Sequence, residues 1–151
     1  MINKLKKTWH LSRADRWLLV QAFLALPLVA LGLRCFGLRR LQANLQRGPA
    51  MPLGSDYRRT DLDRARATAR LVQVAARHGP FRPTCLPQSL VLWWLLRRQR
   101  LAGELHIGVR PEPNRLEAHA WVEFQGLVLN DSENVARRFA PFPREIRPRT
   151  A

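Results

Sequence analysis

The chain has 151 residues, 46% hydrophobic and 25% charged, proportions that fit one folded domain with a real core. Its 26 Lys and Arg against 11 Asp and Glu give a net charge of +15, but the arginines are spread over every segment and form no aromatic-interleaved block, which favours a solvated surface over a nucleic-acid platform. Two cysteines, Cys35 and Cys85, exclude a disulfide framework, and with no CxxC or His-x-x-x-His spacing neither a metal nor another cofactor is expected.

In chain order, a basic "NKLKK" precedes the uncharged run Trp17–Leu33. That order resembles a signal peptide, yet Asp15 stands directly before the run and no small-x-small site follows it. The run has 17 residues, interrupted by Gln21, Pro27 and Gly32, short of the roughly 20 that span a bilayer. It reads as a buried or partner-facing helix of a cytoplasmic protein, with peripheral membrane contact through residues 13–46 as the alternative. Ser12 and Asp15 form a capping box at its start, and Pro27 is expected to kink or end it. A second apolar segment runs from Leu28 to Phe36 and stops at Gly37. The loop-like "RGPAMPLGS" (47–55) divides an apolar helical region, 1–50, from a core, 51–142, which a basic tail, 143–151, follows. Thr60 with Asp63 suggests another capping box; Leu62, Ala65, Ala69, Val72 and Ala76 then recur at helical spacing up to Gly79-Pro80.

The character changes at "PTCLPQSLVLWWLLRR" (83–98). Thr84 is a good N-cap, Cys85 then becomes the first helical residue, and Pro87 is tolerable because it lies in the first turn. Cations close the helix and Gly103 stops it. Strands follow at Glu104–Arg110 and Ala118–Phe124, separated by the loop "PEPNRLE"; a two-residue Gln125-Gly126 turn leads into a third strand, "LVLND". The class is α+β.

A thiolate is the reactive form of cysteine, and a helix N-terminus favours it. Cys85 sits where that effect is largest. A nucleophile also needs a base and the base an orienter. If the second and third strands pair across Gln125-Gly126, His119 and Asp131 come side by side, roughly 4.7–4.9 Å apart, and the Cys85 helix docked across them would complete a Cys–His–Asp triad. Spacing alone leaves blander readings open: Cys85 as core, His119 as a strand histidine, Asp131 as a turn residue. Trp121 and Glu123 share the His119 face, as cleft wall or as packing and exposed charge. His78 reads as a helix-end residue, His106 has no partner in view, and Cys35 reads as structural.

"PTCLPQSLVLWWLLRRQRLAGELHIGVR" followed by "EAHAWVEFQGLVLND" resembles the transglutaminase-like cysteine peptidase module of the lasso peptide biosynthesis B proteins. The likeness lies in a C-L-x-x-S-L helix start at Cys85, an I-G-V strand at Ile107 to Val109, and H-A-W-V-E from His119 to Glu123, over roughly Leu71 to Phe139. It implies a papain- or transglutaminase-like core over 51–142 with nucleophile Cys85, base His119 and orienter Asp131; Asn130 is the rival orienter, since strand neighbours face opposite ways. It also implies removal of a leader peptide from a ribosomally made precursor, beside a lasso cyclase. Some members carry a strand-rich leader-recognition domain, whereas the residues before Cys85 read as helices and loops. The chain therefore resembles the split form, served by a separate recognition protein that docks on the N-terminal helices. A transamidase or acyltransferase using the same residues, and a non-catalytic adaptor, are the alternative functions.

Overall fold

Ser12 opens the first helix as its sequence indicates. Its hydroxyl accepts the Asp15 N–H at 3.1 Å and donates to the Asp15 carboxylate at 2.9 Å. In the computed structural model, which describes residues 12–45, 58–80 and 82–141, this helix, α1, spans Arg13–Leu45. Pro27, expected to kink or end the helix, does not end it. Pro27 is exposed, so the Phe23 carbonyl that loses its helical donor can turn to water. The break falls at Gly37, where φ 74 and ψ 168 are non-helical and a residue without Cβ is favoured. At 33 residues α1 is long and apolar enough to cross a membrane by length and composition, which overturns the length argument made on the 17-residue run. Its inner face, Ala22, Leu26 and Val29, is buried in the core shared with the next two helices. Trp17, Val20, Leu24, Leu28 and Leu31 are exposed, and their spacing of three and four lines them up on the outer face.

Helix α2, Arg59–His78, is capped at Arg58, two residues before the expected cap. The Asp61 carboxylate accepts the Arg58 N–H at 3.1 Å, so Thr60 lies inside the first turn. Ala65, Ala69, Val72 and Ala76 of the expected stripe are buried, and Leu62 packs beside them. His78 is the last helical residue, as anticipated. The expected boundary at 47–55 and the tail at 143–151 lie outside the described residues.

Helix α3, Cys85–Arg98, follows N-cap Thr84. Leu90, Val91, Leu92, Leu95 and Leu96 are all buried because α3 touches α1, α2 and the sheet at once. That explains why its sequence is apolar all round.

Two long antiparallel strands, β1 (Gly103–Glu112) and β2 (Arg115–Phe124), form the centre of a four-stranded sheet. They reach further than expected and take in most of "PEPNRLE", leaving only Pro113 and Asn114 as the turn. Arg110 ties the hairpin with Glu112 at 2.9 Å and Glu117 at 2.6 Å. Gln125 and Gly126 form the expected two-residue turn with φ 53 and 76, the left-handed pair that suits strand twist. It leads into β3, only Leu127–Val128. A short helix α4 (Val135–Arg138) and strand β4 (Ala140–Pro141) return the chain to the free edge of β1, giving the order β3-β2-β1-β4. Ala120, Val122 and Phe124 point to one face, and Val122 and Phe124 join the helical core. Trp121 packs on the other face with Val135 and Phe139.

Candidate active site

The start of α3 carries backbone donors that the helix itself does not use. Pro87 has no N–H, and the Gln88 N–H bonds the Thr84 carbonyl at 3.4 Å. The N–H groups of Cys85 and Leu86 are those the first turn leaves without a helical acceptor. Cys85 is half-buried and its thiol is free. Four residues on, about 6 Å along the helix, the buried Ser89 hydroxyl donates to the Ala120 carbonyl at 2.9 Å. This sets the start of α3 against the strand that carries His119.

His119 Nε2 meets Asp131 Oδ2 in a direct hydrogen bond. The sequence paired these two residues by strand register, and the structure reaches the contact differently. β3 pairs Glu123 with Val128 and Phe124 with Leu127. Continued in that register, the ladder would set Ser132 opposite His119 and Asp131 opposite Ala120, on the other face. Instead the chain leaves the ladder after the Leu129 N–H bonds the Val122 carbonyl at 2.9 Å. Asn130 Oδ1 takes the Val122 N–H at 2.8 Å, and Asn130 Nδ2 donates to Ser89 Oγ at 2.9 Å. Asp131 then swings to the His119 side. Of the two candidate orienters, Asp131 touches the imidazole and Asn130 bonds elsewhere.

His119 and Asp131 are 21% and 18% exposed. Burial pushes the Asp131 pKa up. Hydrogen bonds from the Ser132 N–H, His119 and the Ser132 hydroxyl, with the attraction of a charged His119, outweigh burial and hold the carboxyl below its ordinary range. Arg138, 3.8 Å from Asp131 Oδ1, adds a cation on the far side. With Nε2 committed to Asp131, Nδ1 is the ring nitrogen available for proton exchange. The imidazole stacks on Phe139 with centroids 4.9 Å apart and lies 6.4 Å from Trp121, which stacks on His106 at 5.6 Å. Among the described residues Cys85 forms no hydrogen bond, so the structure joins His119 to Asp131 and leaves the thiol unlinked. Such contacts commonly tighten only with substrate bound.

Trp121 is fully buried packing, and its Nε1 donates to Glu123 at 2.8 Å. His106 has company after all, 3.6 Å from both Glu104 and Glu123. Cys35 is exposed on α1 rather than packed. Gln88 donates to the Pro83 carbonyl at 2.8 Å. An open pocket of about 560 Å³ lies beside the start of α3, lined by Gln73, Arg77, Arg82, Pro83, Gln88 and Asn130. Sequence reasoning missed the Ser89–Asn130 link and the Phe139 stack. A lone hydroxyl one turn after Cys85, on an otherwise apolar helix, was a readable signal for the first; nothing local announced Phe139.

Comparison with known proteins adds the lineage. A 55-residue stretch is 38% identical to the microcin J25-processing protein McjB of Escherichia coli, covering 36% of this chain and 26% of that protein. The match thus spans about a quarter of the relative's length. No solved structure matches. The family model of the transglutaminase-like superfamily matches residues 27–144. That is well over half of the sequence and takes in α2, α3 and the whole sheet, so the chain belongs to the transglutaminase-like superfamily.

Proposed function

We propose that this chain is the cysteine peptidase of a lasso peptide pathway, cutting the leader from a ribosomally made precursor. The observation that carries the reading is the His119–Asp131 hydrogen bond, made by neighbours of Ala120 and Asn130, both of which bond Ser89 on the helix that begins with Cys85. Superfamily membership and the partial likeness to a microcin J25-processing protein support it.

The chemistry follows from the residues. Cys85 gives its proton to His119 Nδ1, and the thiolate attacks the scissile carbonyl at the end of the leader. The Cys85 and Leu86 N–H groups face the developing oxyanion. The tetrahedral intermediate collapses as the imidazolium protonates the leaving amine of the core peptide, and a thioester remains. His119 then takes a proton from water, hydroxide adds to the thioester, and the leader leaves as a carboxylate while Cys85 recovers its proton. Asp131 keeps Nε2 as the donor nitrogen throughout and stabilises the imidazolium. A separate recognition protein presents the leader, a cyclase uses the freed amine, and the reaction takes place in the cytoplasm.

The test is to incubate the chain with precursor and recognition protein in H₂¹⁸O. Hydrolysis predicts a leader whose new carboxyl gains one heavy oxygen. A leader carried onto an added amine instead identifies a transamidase, and an intact precursor removes the peptidase reading.

A further inference from the structure

Strand β2 has an edge that its short neighbour does not cover. Because the Val122 carbonyl bonds Leu129, the Ala120 carbonyl two residues earlier points to the same edge. β3 has ended by then. The edge groups of Ala120 and Val122 are satisfied by two side chains instead: Ser89 donates to the Ala120 carbonyl, Asn130 Oδ1 accepts the Val122 N–H, and Asn130 Nδ2 donates to Ser89. The result is a relay of three hydrogen bonds from the Val122 N–H through Asn130 and Ser89 to the Ala120 carbonyl, in which each bond polarises the next. Ser89 is fully buried.

We infer that Ser89 and Asn130 are positioning residues that set the reacting geometry of Cys85, His119 and Asp131. The inference rests on the catalytic reading above. Each of the three has a relay member beside it: Asn130 precedes Asp131, Ala120 follows His119, and Ser89 lies one turn from Cys85 on the same helical face. The relay does two things at once. It caps the ladder at Val122, so that β3 cannot zip further and carry Asp131 to the face away from His119. It also fixes the height of α3 against β2, and so where the Cys85 sulfur stands relative to the imidazole. Ser89 is thus the hydroxyl in the C-L-x-x-S-L helix start, and its role is geometric.

The full-length chain supplies the test through its two thiols. Alkylation of Cys85 by iodoacetamide is followed by peptide mapping, with exposed Cys35 as internal reference, at pH 6 and pH 9. The titratable and charged groups around the reacting pair are His119, Asp131 and Arg138, with Arg77 and Arg82 lining the pocket beside the start of α3. If His119 takes the Cys85 proton, as the proposed reaction requires, wild-type Cys85 should outpace Cys35 at pH 6. Ser89→Ala and Asn130→Ala remove relay bonds without adding charge, and alanine suits a helix interior. Both should lower the Cys85/Cys35 ratio at pH 6 by about tenfold or more, while the pH 9 ratio stays within about threefold. In leader cleavage, kcat should fall about tenfold or more with KM little changed. Variants with an unaltered pH 6 ratio and kcat would overturn the proposal, whatever happens to their melting temperature. If one variant fails to fold, the other decides. A wild-type ratio at pH 6 no higher than that of His119→Ala would instead sink the catalytic reading itself.

Discussion

Gly108→Ala probes the packing behind His119. Gly108 is paired with His119 across the β1–β2 hairpin and with Pro141 of β4 on its other side. A Cβ there would lie 2.9 Å from the Ala140 carbonyl oxygen, 3.0 Å from Phe139 Cβ and 3.1 Å from the Trp121 ring. These distances are 0.5, 0.4 and 0.3 Å inside the 3.4 Å at which ordinary contact begins. None of the three neighbours yields easily: one is backbone, one is the root of a side chain, and one is a fully buried ring. Relief must come from moving β4 outward, and Phe139 moves with it. Overpacking of this kind costs about 1–3 kcal/mol. At roughly 2–4 °C per kcal/mol for a chain of this size, the melting temperature should drop by about 2–12 °C. Phe139 stacks on His119 at 4.9 Å, so kcat for leader cleavage should fall more than KM changes. Thermal melts followed by circular dichroism, together with cleavage kinetics, check both parts. A variant that melts within 1 °C of wild type, with full activity, would refute the argument from close approach.

Further outcomes follow from the same geometry. His119→Ala should lose about 10³-fold or more in kcat, and Asp131→Ala less than that, in cleavage time courses; a smaller loss for His119→Ala than for Asp131→Ala would contradict the assigned roles. The lowered Asp131 pKa stabilises the fold above the unfolded value of about 3.9, and that stability is lost as pH falls through the lower folded value. Melts of Asp131→Asn from pH 7 to pH 3 should therefore show a weaker acid-side decline than wild type, and parallel curves would count against the ion pair. Leu24→Ser with Leu28→Ser, on the exposed face of α1, should leave the melting temperature nearly unchanged but remove the rate gain from the recognition protein. Undiminished acceleration would move the docking site elsewhere, and liposome sedimentation would show whether lipid covers that face instead.

Local chemistry was the part legible in the sequence. Ser12 with Asp15, Thr84 with Cys85 and Pro87, and the Gln125-Gly126 turn each carry their own reason for a boundary. The structure keeps all three boundaries, although the Thr84 side chain makes no cap hydrogen bond. What escaped was set by tertiary surroundings. Pro27 passes through α1 because its side faces water, a fact about packing. The third strand stops after two of its five expected residues, and β4, also two residues long, is too short for any periodic signal. The His119–Asp131 pairing was foreseen on a ladder that does not reach it. Its real cause is the Asn130 side chain standing in for a strand, and that bond depends on Val122 and on Ser89, 41 residues away.

In the proposed reaction Cys85 is the nucleophile. Leader cleavage by purified Cys85→Ala and Cys35→Ala, each with precursor and recognition protein, is read by mass spectrometry, with circular dichroism confirming the fold. Cys85→Ala should release no leader and Cys35→Ala should release near wild-type amounts; turnover by a folded Cys85→Ala protein would overturn the assignment of the nucleophile.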